Sequence, residues 1–226
     1  MKPPFEIIEF SFAGLTLQEP MALVFNWAIT VFSLYAFFSI RWSDSYSSKQ
    51  FKNFYLCLAI STFLSGFGHV LFQYFGIFGK YPAWILAVTS GYFISQGILY
   101  YYRNHKSYLL LKYFLIIKSV ILLTLSLINK TFLFIAIDSI LTYLLYCGYL
   151  TGRLWAKNNL DMQYFVYGIL VLIPSAFIFL LNINLHRYLN RDDLSHVLML
   201  ICIILFYYGV KKMNMRYLKA DTLNKV

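Results

Sequence analysis

The 226-residue chain is short of charge: Asp, Glu, Lys and Arg together make up 12% of it, about half the roughly 25% usual in soluble domains. That scarcity excludes a water-soluble globular domain, which needs charged side chains to cover its surface. Glycine and proline are also scarce, at 11 and 5 residues, which excludes collagen-like and low-complexity chains. Three cysteines cannot build a disulfide framework. What the chain has instead is apolar bulk. It is 60% hydrophobic and 20% aromatic, with a mean hydropathy of +0.65. At about 20 apolar residues per crossing, this composition describes a polytopic integral membrane protein. The net charge of +10 then reads as charge placed in loops and tails by the membrane, and nucleic-acid binding is set aside.

Apolar runs separated by charged or turn residues fall at 21–40, 54–75, 82–102, 109–129, 131–150, 163–183 and 193–213, predicting an all-α bundle of seven transmembrane helices in one domain. The segment from Arg41 to Lys52 is rich in Ser, Asp and Lys, Gly76 to Pro82 is a Gly/Pro turn, and Arg153 to Asp161 carries charge and Asn. The shortest break is at Asn129–Lys130, dividing one long apolar stretch. Residues 1–20 carry Glu6, Glu9 and Glu19 without a basic region leading into an apolar core, so a cleavable signal peptide is not expected. No repeat is evident.

Basic residues resist translocation. The N-terminus and even-numbered loops hold only Lys2, Lys80, Lys130, Arg187 and Arg191, while the other loops and the C-terminal tail hold nearly all the remaining basic residues. The expectation is an N-terminus outside and a C-terminus in the cytoplasm, with the basic tail after Tyr208 resting on anionic lipid headgroups.

Ionisable side chains inside spans are expensive and usually face the bundle interior, which makes them the default functional candidates. Here they are His69, Lys118, Asp138 and His196. Counting 1.5 Å per residue from the helix ends places His69, Asp138 and His196 roughly 5–10 Å below the outer surface. Ser65 precedes His69 by one turn, and Asp192 and Asp193 precede His196 by about one turn. Glu19 stands at the start of helix 1, and His186 lies in the outer loop before helix 7. His, Asp, Glu and Ser are the side chains that hold a metal and activate water. Each also has a plainer reading. A membrane histidine can hydrogen-bond between helices, and Asp192 and Asp193 can cap helix 7. Lys118 stands apart, nearer the cytoplasmic side, and His105 lies in a cytoplasmic loop. Gly66 and Gly68 fit close packing beside His69, and Cys57, Cys147 and Cys202 read as small apolar fillers.

Seven helices with an external N-terminus, Ser65-x-x-x-His69 on helix 2 and a His-bearing polar motif opening helix 7 resemble the CREST superfamily of seven-helix membrane hydrolases, which includes alkaline ceramidases and adiponectin-receptor-like proteins. The acidic entry to helix 1, Glu19-Pro20 with Asn26 beyond it, adds to the likeness. The resemblance implies zinc held by His69 and His196, Ser65 near a metal-bound water, and an aspartate moving protons. Two positions depart from the pattern. Asp192 stands where the family has the first histidine of helix 7, so that the implied ligands become His69, His196 and Asp192, with His186 as a further nitrogen. Helix 3 carries no acid, so the proton-transfer role falls to Asp138 or Asp193.

The leading expectation is therefore a zinc-dependent hydrolase cleaving an amide or ester of a membrane lipid. The alternative is a non-enzymatic seven-helix receptor or sensor that uses the outer polar layer as a ligand or proton site. A retinal protein is disfavoured because helix 7 has no mid-span lysine, and a transporter because inverted repeats are absent.

Overall fold

The computed structural model describes residues 6–40 and 45–223, with side chains through Met215. Seven helices are long and apolar enough to cross a membrane: α1 Pro20–Ser39, α2 Tyr46–Val70, α3 Phe72–Tyr102, α4 Tyr108–Asn129, α5 Leu133–Ala156, α6 Leu160–Leu180 and α7 Arg191–Met215, which runs on as helix to Leu223. Consecutive helices pack on one another, and α1 also meets α7, so the bundle closes into a ring. Of the basic tail, Lys211 and Lys212 lie on α7, while the side chains of Arg216, Lys219 and Lys225 fall outside the described residues.

The centre is aromatic. Phe51, Phe54, Tyr55, Tyr146, Phe165 and Phe206 are fully buried, and the Phe165 and Phe206 rings stack at 5.0 Å. Outward faces are apolar too: Val31 and Phe38 on α1 and Leu110, Val120 and Ile128 on α4 are exposed. A helix apolar on every side suits a hydrocarbon surrounding.

The α4–α5 break falls where expected, with Lys130 in the left-handed conformation at φ 52° ending α4. By contrast, α2 starts eight residues before the expected boundary of 54. Its polar first turns, read from sequence as loop, are buried and partnered: Ser47 Oγ donates to the Gly97 carbonyl at 2.8 Å, and Lys52 Nζ donates to the Ile40 carbonyl at 2.8 Å. The Lys52 ammonium thus satisfies a carbonyl at the end of α1. Within α5, Tyr143–Leu150 forms a π-helix, which no residue pattern there predicts.

Two further elements were not expected. An antiparallel hairpin, β1 Glu9–Phe12 and β2 Leu15–Gln18, precedes α1. Its two-residue turn has positive φ at both Ala13 (51°) and Gly14 (78°), the combination that matches the twist of paired strands. Also, α3 opens as a short helical turn followed by a 3₁₀ segment, Gly76–Lys80. This segment lies so close to α2 that a Cβ on Gly68 would meet the Gly79 carbonyl oxygen at 3.0 Å.

The α6–α7 contact is equally tight, since a Cβ on Gly168 would lie 2.6 Å from Phe206 Cε1 and 3.2 Å from the Cys202 carbonyl. Gly168→Ala should destabilise the bundle by about 1–3 kcal/mol through overpacking. Gly152→Ala, where the nearest neighbour is Val166 at 3.8 Å, should be nearly neutral; thermal melts in detergent compare the two.

Candidate functional site: an acid–histidine cluster at one end of the bundle

The cluster is assembled from α1, α2, α3 and α7. Glu19 caps α1 in the left-handed conformation (φ 49°, ψ 62°), followed by Pro20. Proline disfavours the right-handed helical region for the residue before it, and a non-glycine in the left-handed region stores about 1–3 kcal/mol. The strained backbone is held by Glu19 N–H donating to the Ile8 carbonyl at 2.9 Å and by the Glu19 carbonyl accepting from Ala22 at 3.1 Å.

From this cap, Glu19 Oε2 reaches His69 Nδ1 at 2.5 Å, with the two side chains only 14% and 13% exposed. Burial alone would push the Glu19 carboxyl up, but the His69 hydrogen bond and the nearby charges of His69, Lys80 and His196 outweigh it and hold the carboxyl below its ordinary value of 4.5. An ionised carboxylate only accepts, so His69 Nδ1 carries the proton in this bond. Lys80 Nζ, at the end of the 3₁₀ segment, lies 3.3 Å from the same nitrogen and 5.1 Å from the centre of the Phe72 ring. The missing Cβ of Gly68 lets this segment come close enough to bring Lys80 there, because a Cβ would also meet Lys80 Cγ at 3.2 Å.

His196 enters from α7. Its Nδ1 lies 2.6 Å from the Asp192 carbonyl oxygen, which only accepts, so Nδ1 is again the protonated nitrogen. On the neutral form of either ring, Nε2 is therefore the basic atom. His196 is within electrostatic reach of His69, Asp192 and Lys80.

The start of α7 is a reciprocal cap centred on Asn190. Asn190 Oδ1 accepts from the Asp192 and Asp193 backbone N–H groups at 2.8 and 3.1 Å, and Asp193 Oδ2 accepts from the Asn190 N–H at 3.1 Å. The capping expected of the two aspartates is thus shared differently: Asn190 is the cap and Asp193 its answering acid. One oxygen on each acid, Asp192 Oδ1 and Asp193 Oδ1, is buried without a hydrogen bond. Asp192 Oδ1 lies 3.3 Å from Arg191 Nε. Asp193 also lines a small cleft with Glu6, Glu19, Arg187 and Asn190, of about 10 Å³, room for about one water.

The structure therefore brings His69, His196, Asp192 and Asp193 to one end of the bundle, and Ser65 sits half-buried one turn from His69 on α2. His186 and Asp138 do not join them. His186 is exposed in its own turn, where its Nδ1 accepts from the Tyr188 N–H at 3.2 Å and its ring stacks on Tyr188. Asp138 belongs to a second polar centre between α4 and α5. Its Oδ1 accepts from Lys118 Nζ at 2.5 Å and from Ser119 Oγ at 2.8 Å, and Lys118 also donates to Thr142 Oγ1 at 2.6 Å. The expected shared layer counted depth along each helix and could not register which neighbour Asp138 faces. Lys118, expected apart and nearer the cytoplasmic side, is its partner.

Among the described residues, no three His, Cys, Asp or Glu side chains converge on a common metal position. The donor types, though not their arrangement, are those that zinc takes. Both imidazoles are oriented through Nδ1 by an acceptor, as zinc-binding histidines usually are, and Asp192 supplies a buried carboxylate oxygen without a hydrogen bond. From the sequence, Glu19 stands at the start of helix 1 and Lys80 in a loop, with nothing to pair either of them with His69. The signals for the two were the acid before Pro20 and the one basic residue of the Gly76–Pro82 turn.

A closed seven-helix apolar bundle with a buried acid–histidine cluster at one end is the class that these observations define. The chain belongs to a family of unknown function, DUF6962, whose model matches residues 21–215 and so spans α1 almost entirely and all of α2 to α7. No curated protein and no solved structure matches the chain.

Glu19→Gln should cost about 1.5–3 kcal/mol at neutral pH, as loss of a charge-assisted hydrogen bond. Because the folded-state value is depressed, the stabilisation is complete above pH 4.5 and is lost as pH falls through the lowered value. Melts of wild type and variant should therefore converge in acid. For the second centre, Lys118→Met strands a buried carboxylate and should destabilise by about 3–5 kcal/mol, and adding Asp138→Asn should recover part of that loss in a double-mutant cycle.

Proposed function

We propose that this chain crosses a membrane seven times, with its N-terminus outside and its C-terminus cytoplasmic, and that the acid–histidine cluster is the centre of a zinc-dependent hydrolase acting on an amide or ester bond of a membrane lipid. The observation that carries this reading is the pair of partly buried imidazoles, each held through Nδ1 by an acceptor, beside the Asp192 carboxylate, whose Oδ1 has the Arg191 guanidinium 3.3 Å away but no hydrogen bond. His69 and His196 through Nε2, with the Asp192 carboxylate, are the residues that would hold zinc. Zinc there would supply Lewis acidity toward a carbonyl and an acidified water.

The chain's own groups do the rest. Glu19 keeps His69 in one tautomer and orientation, as a carboxylate does for an imidazole base. Lys80, in electrostatic contact with Glu19 and Asp192, balances their negative charge. Asp193, buried with one free oxygen beside Glu19, is the acid placed to take up or return a proton. A lipid amide or ester lies at the headgroup boundary, the depth expected of this layer from the sequence. The tail from Lys211 rests on anionic headgroups.

A receptor or sensor using the same cluster is the second reading. It is favoured by the Lys80 ammonium 3.3 Å from His69, a cation where a zinc site would already supply positive charge.

Zinc analysis of detergent-purified protein separates the two. The hydrolase reading expects about one zinc per chain, falling in His69→Ala, His196→Ala and Asp192→Asn, together with release of fatty acid from amide- or ester-linked lipids measured by mass spectrometry. Folded wild type that takes up no zinc on addition would overturn it in favour of the sensor.

A further inference from the structure

The N-terminal hairpin has two unlike faces. Its register pairs Phe10 with Leu17 and Phe12 with Leu15, so these four side chains share one face. The alternate positions Glu9, Ser11, Thr16 and Gln18 make the other, where Gln18 Nε2 donates to Glu9 Oε1 at 2.9 Å. The base of the apolar face is covered, Leu17 being buried, but at the tip Phe12 is 69% and Leu15 45% exposed. Nothing charged interrupts the tip, whose turn is Ala13–Gly14.

The hairpin is tied to the start of α3: Thr16 N–H donates to Tyr74 Oη at 3.1 Å, and Gln73 Nε2 donates to the Thr16 carbonyl. There Phe75 and Phe78 are 60% and 62% exposed. Lys130 Nζ lies 5.4 Å from the Phe78 ring centre. Apolar patches that recruit a soluble partner are typically rimmed by polar residues. This one instead adjoins the apolar outer faces of α2 and α3, where Phe63, Phe67 and Phe72 are exposed. Aromatic rings with a lysine among them, at the end of a spanning bundle, match the level of lipid phosphates.

We propose that the hairpin tip and the first turns of α3 form an interfacial platform seated in the outer leaflet, so that their partner is the lipid surface of the membrane the bundle spans. The inference rests on the membrane-spanning, N-outside reading and adds that Glu19, which directly follows β2, faces a lipid-covered rather than a water-covered rim. A lipid would then reach the cluster from within the leaflet.

The test is an environment-sensitive fluorophore on single cysteines at Phe12→Cys, Leu15→Cys and Ser11→Cys. The background carries Cys57→Ala, since Cys147 and Cys202 are buried. Ile117→Cys, on the exposed face of α4, reports the span itself. The full chain is reconstituted in phosphatidylcholine vesicles containing lipids spin-labelled near the headgroup, and, in parallel, exposed to iodide. The platform expects labels at 12 and 15 to be quenched several-fold more by the spin-labelled lipid than the label at 11, and to be shielded from iodide. Iodide quenching at 12 and 15 equal to that at 11, with 117 shielded, would overturn the platform alone. Iodide access at 117 as well would overturn the spanning reading and the platform with it.

Discussion

The buried polar groups that bridge helices in this bundle are answered by one another, because an apolar exterior offers them nothing else. That constraint orders the molecule from end to end. At one end Lys52 closes a carbonyl at the end of α1 and Ser47 ties α2 to α3. Between α4 and α5, Lys118 neutralises Asp138 while Ser119 and Thr142 complete the set. At the far end Glu19 answers His69. Each pairing joins two different helices, so each also fixes how those helices sit against one another. The apolar contacts supply cohesion, and the polar contacts supply uniqueness.

The acid–histidine cluster differs from the other pairings in leaving capacity unused. Lys118 and Asp138 engage each other and their neighbours closely, whereas Asp193 retains a buried oxygen without a hydrogen bond, Asp192 Oδ1 has only the Arg191 guanidinium at 3.3 Å, and Glu19 adopts a backbone conformation unfavourable for its residue type. Unsatisfied acceptors and local strain in the same few residues are costs that a purely structural contact would have little reason to retain. The contrast separates a site from a staple within one molecule.

Much of the helical layout was readable because apolar runs of about 20 residues and their Gly, Pro and charged punctuation are one-dimensional signals. The reading failed where polarity and burial part company. Ser47, Ser48 and Lys52 look like loop residues and are buried helix. The hairpin at 9–18 alternates in the strand period, but with four residues per strand the run is too short for periodicity to distinguish it from a loop. His69 and His196 stand out because ionisable residues inside spans are few, and Asp192 and Asp193 because they precede His196 by about one turn. Lys80 carried no individual signal, since its role depends on how closely Gly79 approaches Gly68. Asp138 was misassigned to the histidine layer because depth along a helix does not say which neighbour it faces.

Glu19 occupies the joint between hairpin and bundle, and this has a consequence in time. The contacts that secure the hairpin, Tyr74 and Gln73 on α3, and the partner that receives the acid, His69 on α2, all lie some fifty to sixty residues downstream. The hairpin leaves the ribosome before α2 and α3 and therefore waits for both helices to be made and paired before it has anywhere to dock. A segment made ahead of its docking partners settles after them, and the acid–histidine pair can close only once α2 has been made.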